Sequence, residues 1–250
     1  MDRVFGALGK QPPQHDSRTL RLAAYLTDGL PAAPETALWN ASVIDWHVLA
    51  NDKFGNCVPA GALHLAQSWA SYAGGRFVPT DKDAIQAYHR LNPGWSGAQD
   101  ETDTGAAMLA ALTLWRKEGL AGDRISAFMA CDPTDRETVK QAIALFGGAY
   151  IGLALPRSCQ DQDIWSVPEG GPTGDGAKGS LGGHCVPVLA YTRHTLTCLT
   201  WGQVILLTWD FFTTYCDEAY AVLGPGWFDA PGRAPNGFDG DQLRRDLARL

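Results

Sequence analysis

At 250 residues the chain can form one two-lobed domain or two small ones, and it can bury roughly 70–75% of its unfolded surface without disulfides or metals. Hydrophobic residues at 45% and charged residues at 19% exclude a disordered chain. The net charge of −7, with no Lys/Arg-rich block, argues against nucleic acid or a membrane surface as partner.

The first 30 residues lack the apolar core of a signal peptide, and no apolar run approaches the ~18 residues of a membrane span. A cytoplasmic protein is the expectation. Residues 1–40 are rich in Pro, Gly and Ala, with QPPQ and LPAAPE as breakers, and read as an arm lying over a core. VIDWHVL, 43–49, reads as a short strand or extended segment. From Pro59 to Tyr72 the apolar positions Ala62, Leu65, Ala66, Trp69 and Tyr72 recur at helical spacing, and Gly74-Gly75 ends the run. Thr80 and Asp83 have capping-box spacing at the start of DKDAIQAYHRL. NPGWSGAQDETDTG is a loop. Met108, Leu109, Leu112 and Trp115 then mark a helix that Gly119 stops, and Thr134 with Glu137 predicts a capping box for ETVKQAIALF.

After this the period changes. AYIGLALP, CVPVLAYT, HTLTCLTW, QVILLTW and AYAVL are short β-type runs. Residues 158–183 form a long Gly-rich loop, a length often functional or mobile. Residues 229–250 read as a Pro/Gly linker and a small helix carrying Leu243, Leu247 and Leu250. Helices first and strands second predict an α+β protein, with a helical lobe against an antiparallel sheet or barrel.

Six cysteines (Cys57, Cys131, Cys159, Cys185, Cys198, Cys216) show no CxxC pair and read as free, mostly buried thiols. Cys57 stands at the head of a helix. A thiol attacks as thiolate, favoured at a helix N-terminus beside an imidazole. The dipole contributes about 0.3–1 kcal/mol, under one pKa unit, so a histidine must supply the rest. His15 lies in the arm, His47 and His89 in ordinary surroundings, and His194 in a hairpin turn. His64 sits on Cys57's own helix and faces away. His184 stands where the Gly-rich loop hands over to a strand, a suitable mount for a general base. Cys185 beside it faces the opposite side of the strand, so the two are not expected to share a metal. Asp161, Asp163 and Glu169 read as a solvated loop. No phosphate-cradling motif is present, and neither cofactor nor metal is called for.

The order of these segments resembles the papain-like cysteine peptidases over about residues 43–223. IDWHVL with NDKFGNC is similar to that family's Asp-Trp segment and nucleophile motif, FGGAYIGLALP to its Gly-Pro-Val strand, and GGHCVPVLAYT to its His-Ala-Val strand. LTWG is similar to Asn-Ser-Trp-Gly, and DEAYAVL to the closing Gly-Tyr strand. The resemblance implies a domain over 41–228, with a helical lobe over about 41–120 and a β lobe over about 121–228. It implies Cys57 as nucleophile, His184 as general base, Asn51 as oxyanion donor in place of glutamine, and Trp201 as the shielding tryptophan. The family's orienting asparagine falls on Leu199, which cannot accept a hydrogen bond, so Thr200 is the candidate orienter, with Asp210 behind it.

The implied activity is a thiol hydrolase that cleaves a peptide or other amide in a peptide or protein substrate, with the arm as a short gate. Two alternatives stand beside it. The fold could serve as an inactive structural or binding protein, docking through arm or tail; the layout also resembles phage and prophage proteins, which implies a virion setting. The same Cys–His pair could instead catalyse acyl transfer.

Overall fold

The computed structural model describes residues 5–24 and 32–228, so the helix expected in 229–250 lies outside the described residues. Among the described residues, nine strands join one mixed sheet. They are β1 (Leu20–Arg21), β2 (Ala37–Leu38), β3 (Ala127–Cys131), β4 (Ala149–Leu155), β5 (Ile164–Trp165), β6 (Gly182–Tyr191), β7 (Thr195–Thr200), β8 (Gln203–Thr208) and β9 (Cys216–Leu223). Their order is β1-β3-β9-β4-β6-β7-β8-β5, with β2 added beside β6. The body of the sheet is antiparallel; the short outer strands β1 and β5 pair in parallel.

Five α-helices of the described residues flank it: α1 (Cys57–Tyr72), α2 (Asp81–Leu91), α3 (Met108–Lys117), α4 (Arg136–Phe146) and α5 (Trp209–Tyr215). Side chains alternate across a strand, and the sheet uses both faces. Ile151, Leu153, Val186 and Val188 join α4 and α5 in one core. Tyr150, Cys185, Leu189 and Leu199 join α1, α2 and α3 in the other. The β-rich half therefore carries two helices of its own.

Helix α1 is the spine. Instead of showing one apolar stripe, it is buried at every position from Cys57 to Trp69, because sheet and helices enclose it on all sides. Pro59 falls in its first turn, where a missing N–H costs nothing. Its polar side chains tie down the extended segment 43–49, which forms no strand: His64 Nε2 lies 2.8 Å from the His47 carbonyl, and Gln67 Nε2 donates to the Asp45 carbonyl at 3.2 Å. Helix α2 opens on the expected Thr80–Asp83 capping box. Helix α4 does not open as expected. Asp135 is its N-cap, accepting from the Glu137 and Thr138 amides, while the Thr134 hydroxyl is turned onto Asp132. None of the six cysteines is in a disulfide, and five are buried.

Residues 5–11 bridge the two halves, meeting Asn51, Gly55 and Ala106 on one side and the start of β6 at Gly183 on the other. Lys10 bridges Ala106 in the helical half, its neighbour Gln11 donates to the Ala106 carbonyl, and the Lys10 amide donates to Gly183 at 3.1 Å in the sheet. Glycine here permits backbones to touch. A Cβ on Gly9 would come within 1.8 Å of the Gly55 carbonyl oxygen, and one on Gly183 within 2.2 Å of the Lys10 carbonyl oxygen.

Candidate active site

Cys57 is the first residue of α1 and is 1% exposed. Backbone hydrogen bonds from Cys185, Gly9 and Val58 favour its thiolate, as does the charge of Lys10. Burial outweighs them and pushes the thiol up to about 11. Two of these neighbours show where Cys57 lies: Cys185 follows His184 on β6, and Gly9 belongs to the inserted arm.

His184 is fully buried, and burial pulls its imidazole down to about 3. Its Nε2 lies 2.6 Å from Thr200 Oγ1, while its Nδ1 has no hydrogen-bond partner among the described residues. The Trp201 ring stacks over the imidazole, centroids 4.5 Å apart and planes 20° from parallel. The Thr200–Trp201–Gly202–Gln203 hairpin makes this possible. Trp201 (φ 49°) and Gly202 (φ 70°) are both left-handed, the pattern of a type I′ turn. A tryptophan held there is strained, and such strain persists only where the surroundings impose it. Leu199 lies in the core among α1 and α2 residues, pointing away, so the register of β7 presents Thr200 to the imidazole instead. Asp210 is not near: it is exposed and ion-paired with Arg136 at 2.7 Å.

Thr200→Val keeps the shape but removes the oxygen, leaving a buried imidazole nitrogen unsatisfied. A loss of about 1–3 kcal/mol is expected, read as a lower urea midpoint with unchanged slope.

Asn51 follows two consecutive left-handed residues, Leu49 and Ala50, each with φ 58°. This bend carries its side chain into the cleft. Its Nδ2 donates to the Phe54 carbonyl at 3.0 Å and to the Ala7 carbonyl of the arm at 3.1 Å. Trp201 Nε1 donates to the same Ala7 oxygen at 3.4 Å. A carbonyl is thus already held by the amide that the sequence singled out, and the arm supplies it. Phe5 packs on Trp201, centroids 5.0 Å apart. The arm from Phe5 to Lys10 thereby covers Trp201, Asn51 and Cys57 in turn.

The walls are braced as well. Asp103 accepts from the Gly55 amide at 3.0 Å and from the Tyr88 hydroxyl, which in turn receives the Gly105 amide at 2.8 Å. Sequence reasoning named the arm as a gate but missed Asp103 and the surfaces the arm meets. Gly9 lies against Gly55 and Gly105, and Lys10 against Gly183, contacts that only the fold reveals. His15, His47, His89 and His194 take no part, and His64 is buried on the Trp46 side. Asp161, Asp163 and Glu169 are exposed, as expected of a solvated loop. Among the described residues no group of three or more His, Cys, Asp or Glu side chains could hold a metal, and no helix is long and apolar enough to cross a membrane.

No protein-family model matches the chain. No curated protein matches it either. Solved structures do. Xylellain, a cysteine protease from Xylella fastidiosa, is similar at a TM-score of 0.66 and 11% identity, covering 87% of this chain and 96% of its own. A Carica candamarcensis cysteine protease in complex with E-64 matches at 0.54 and 11% identity, covering 76% of this chain and 98% of its own. Digestive procathepsin L 3 of Tenebrio molitor matches at 0.57 and 11%, covering 82% and 74%. Nothing among these likenesses supports a phage origin or virion setting. With a helix headed by Cys57 packed on the strand that carries His184, the chain has the fold of the papain-like cysteine proteases.

Proposed function

We propose that the protein is a papain-like thiol hydrolase of peptide or other amide bonds, held shut by its own N-terminal arm. One observation carries the reading: His184 has one nitrogen fixed by Thr200 under Trp201, and the other buried and unpartnered, on the strand packed against the helix that Cys57 heads. Such an arrangement suits Nε2–H donating to Thr200 and Nδ1 keeping its lone pair as base.

With the arm displaced, water re-enters and the burial that neutralises both groups is relieved. Cys57 gives its proton to His184, and the sulfur bonds to the substrate's carbonyl carbon. Asn51 Nδ2 donates to the oxyanion in the place Ala7 now occupies. His184 returns the proton to the leaving amine as the C–N bond breaks, and water then releases the acyl group from sulfur.

The test uses arm-displaced protein and an amide substrate. Cys57→Ala should abolish both hydrolysis and labelling by a thiol-directed amide probe; equal labelling of that variant would end the reading. Asn51→Ala should lower kcat by roughly 10²–10³-fold, the usual worth of one oxyanion donor. Adding an amine acceptor separates acyl transfer from hydrolysis, because only a transferase diverts the acyl group to the amine. An inactive binding protein would show no turnover with any amide, whatever the state of the arm.

A further inference from the structure

Lys10 is an unusual residue to find in a sealed cleft. Its side chain is 1% exposed, and its ammonium lies 3.0 Å from Asp217 Oδ2 and 3.2 Å from Glu218 Oε1. Adjacent residues on a regular strand point to opposite faces, so two neighbours should not meet one ammonium. A register shift makes it possible. Gly152 pairs with Glu218 while the next residue, Leu153, pairs with Cys216, leaving Asp217 as the extra residue of a β-bulge. Bulges re-aim side chains in this way.

The rest of the pocket is shaped to the same end. A Cβ at Gly152 would stand 2.1 Å from Lys10 Cε, so the absence of a side chain makes room for the alkyl stem. Tyr220 donates its hydroxyl to the other Glu218 oxygen at 3.0 Å, fixing that carboxylate. Gly152, Asp217, Glu218 and Tyr220 all belong to β4 and β9 and stay behind when the arm leaves. Two carboxylates, one of them nearly buried, would then face an empty cavity, a costly arrangement unless a cation takes the place of Lys10.

We propose that this pocket is a recognition subsite for a lysine side chain of the guest peptide, its primary ammonium set between Asp217 and Glu218. Lys10 is its resident occupant. The binding part stands by itself; that the guest is then cleaved rests on the hydrolase reading.

The experiment measures binding in a Cys57→Ala background, so that its outcome is separate from turnover. Full-length protein with Gly9→Ala, which cannot seat its own arm, is titrated with the peptide acetyl-FGALGKQ-amide and with the same peptide carrying norleucine for lysine. Charge-assisted pairing predicts that the lysine peptide binds roughly tenfold or more tightly, and that Glu218→Gln removes the advantage. Equal affinities for the two peptides would overturn the proposal. Should Gly9→Ala fail to fold, Lys10→Ala in the full chain leaves a hole the size of n-propylammonium. A saturable rise in Tm with that cation, absent with 1-propanol, supports the subsite, and no rise overturns it.

Discussion

Gly9→Ala is expected to raise the rate at which iodoacetamide labels Cys57 by roughly 300-fold at pH 7.5, if the arm is what silences the thiol. The added methyl has nowhere to go, since it would fall 1.8 Å from the Gly55 carbonyl oxygen, a backbone atom that cannot turn aside. The arm must lift. Under the arm the thiol titrates at about 11, so only about 3 in 10⁴ molecules carry thiolate at this pH; at an ordinary value of about 8.5 the fraction is about one in ten. Relief of steric cover adds to the gain. The check is peptide-level mass spectrometry of labelled Cys57 over time, with buried Cys131 and Cys159 as internal references. Labelling no faster than in the parent chain would mean that something other than residues 5–11 keeps the sulfur silent.

A second large effect is expected on acidification. Burial holds His184 near 3 and His64 near 4, against an ordinary value of 6.5 for each. Both folded-state values are depressed, so the unfolded chain binds more protons below pH 6.5 and stability falls as pH falls. Each group costs about 1.4 kcal/mol per pH unit, so at pH 5 the two together remove about 4 kcal/mol, a large part of the usual 5–15 kcal/mol. Glu218 works in the opposite sense. Burial raises its carboxyl, so protonation there favours the folded state, but it also weakens the hold on Lys10. Urea midpoints at pH 7.5 and pH 5 measure the total. His64→Gln should roughly halve the drop, because it removes one of the two titrating rings; an unchanged drop would locate the acid sensitivity elsewhere. Opening the cleft solvates His184, so mild acid should also favour the arm-displaced form, which faster Cys57 labelling at pH 5.5 than its thiolate fraction predicts would reveal.

Much of the fold was legible because its long elements obey local rules. The Thr80–Asp83 box, the spacing of Met108, Leu112 and Trp115, and the β-type runs of the second half each fell where their chemistry placed them. Local competition hid the rest. Asp135 outbid Thr134 for the α4 cap because the Thr134 hydroxyl already had Asp132. Between the QVILLTW and AYAVL runs, residues 209–215 form the unanticipated helix α5, since Thr208 caps it and Trp209, Phe211, Phe212 and Tyr215 bury together. Strands of two residues, such as β1 and β5, carry no periodicity at all.

The candidate site divides in the same way. Order along the chain singles out Cys57, His184 and Trp201 as candidates, and the hydroxyl beside Leu199 singles out Thr200; the β7 register that turns Leu199 away is visible only in the fold. The arm's docking place was not legible, because nothing in FGALGK announces which surface its glycines will meet. Asp217 and Glu218 read as an ordinary strand entry until a bulge in pairing brought both onto one ammonium.

The indole of Trp201 lies against His184 on one side and against Phe5 and the Ala7 carbonyl on another. Its excited state therefore senses two things at once: how polar the imidazole is, and whether a neighbouring chain segment is in place. The molecule thus carries a native optical gauge, whose emission should redden and dim as cover is lost, allowing release to be followed in real time without any attached dye.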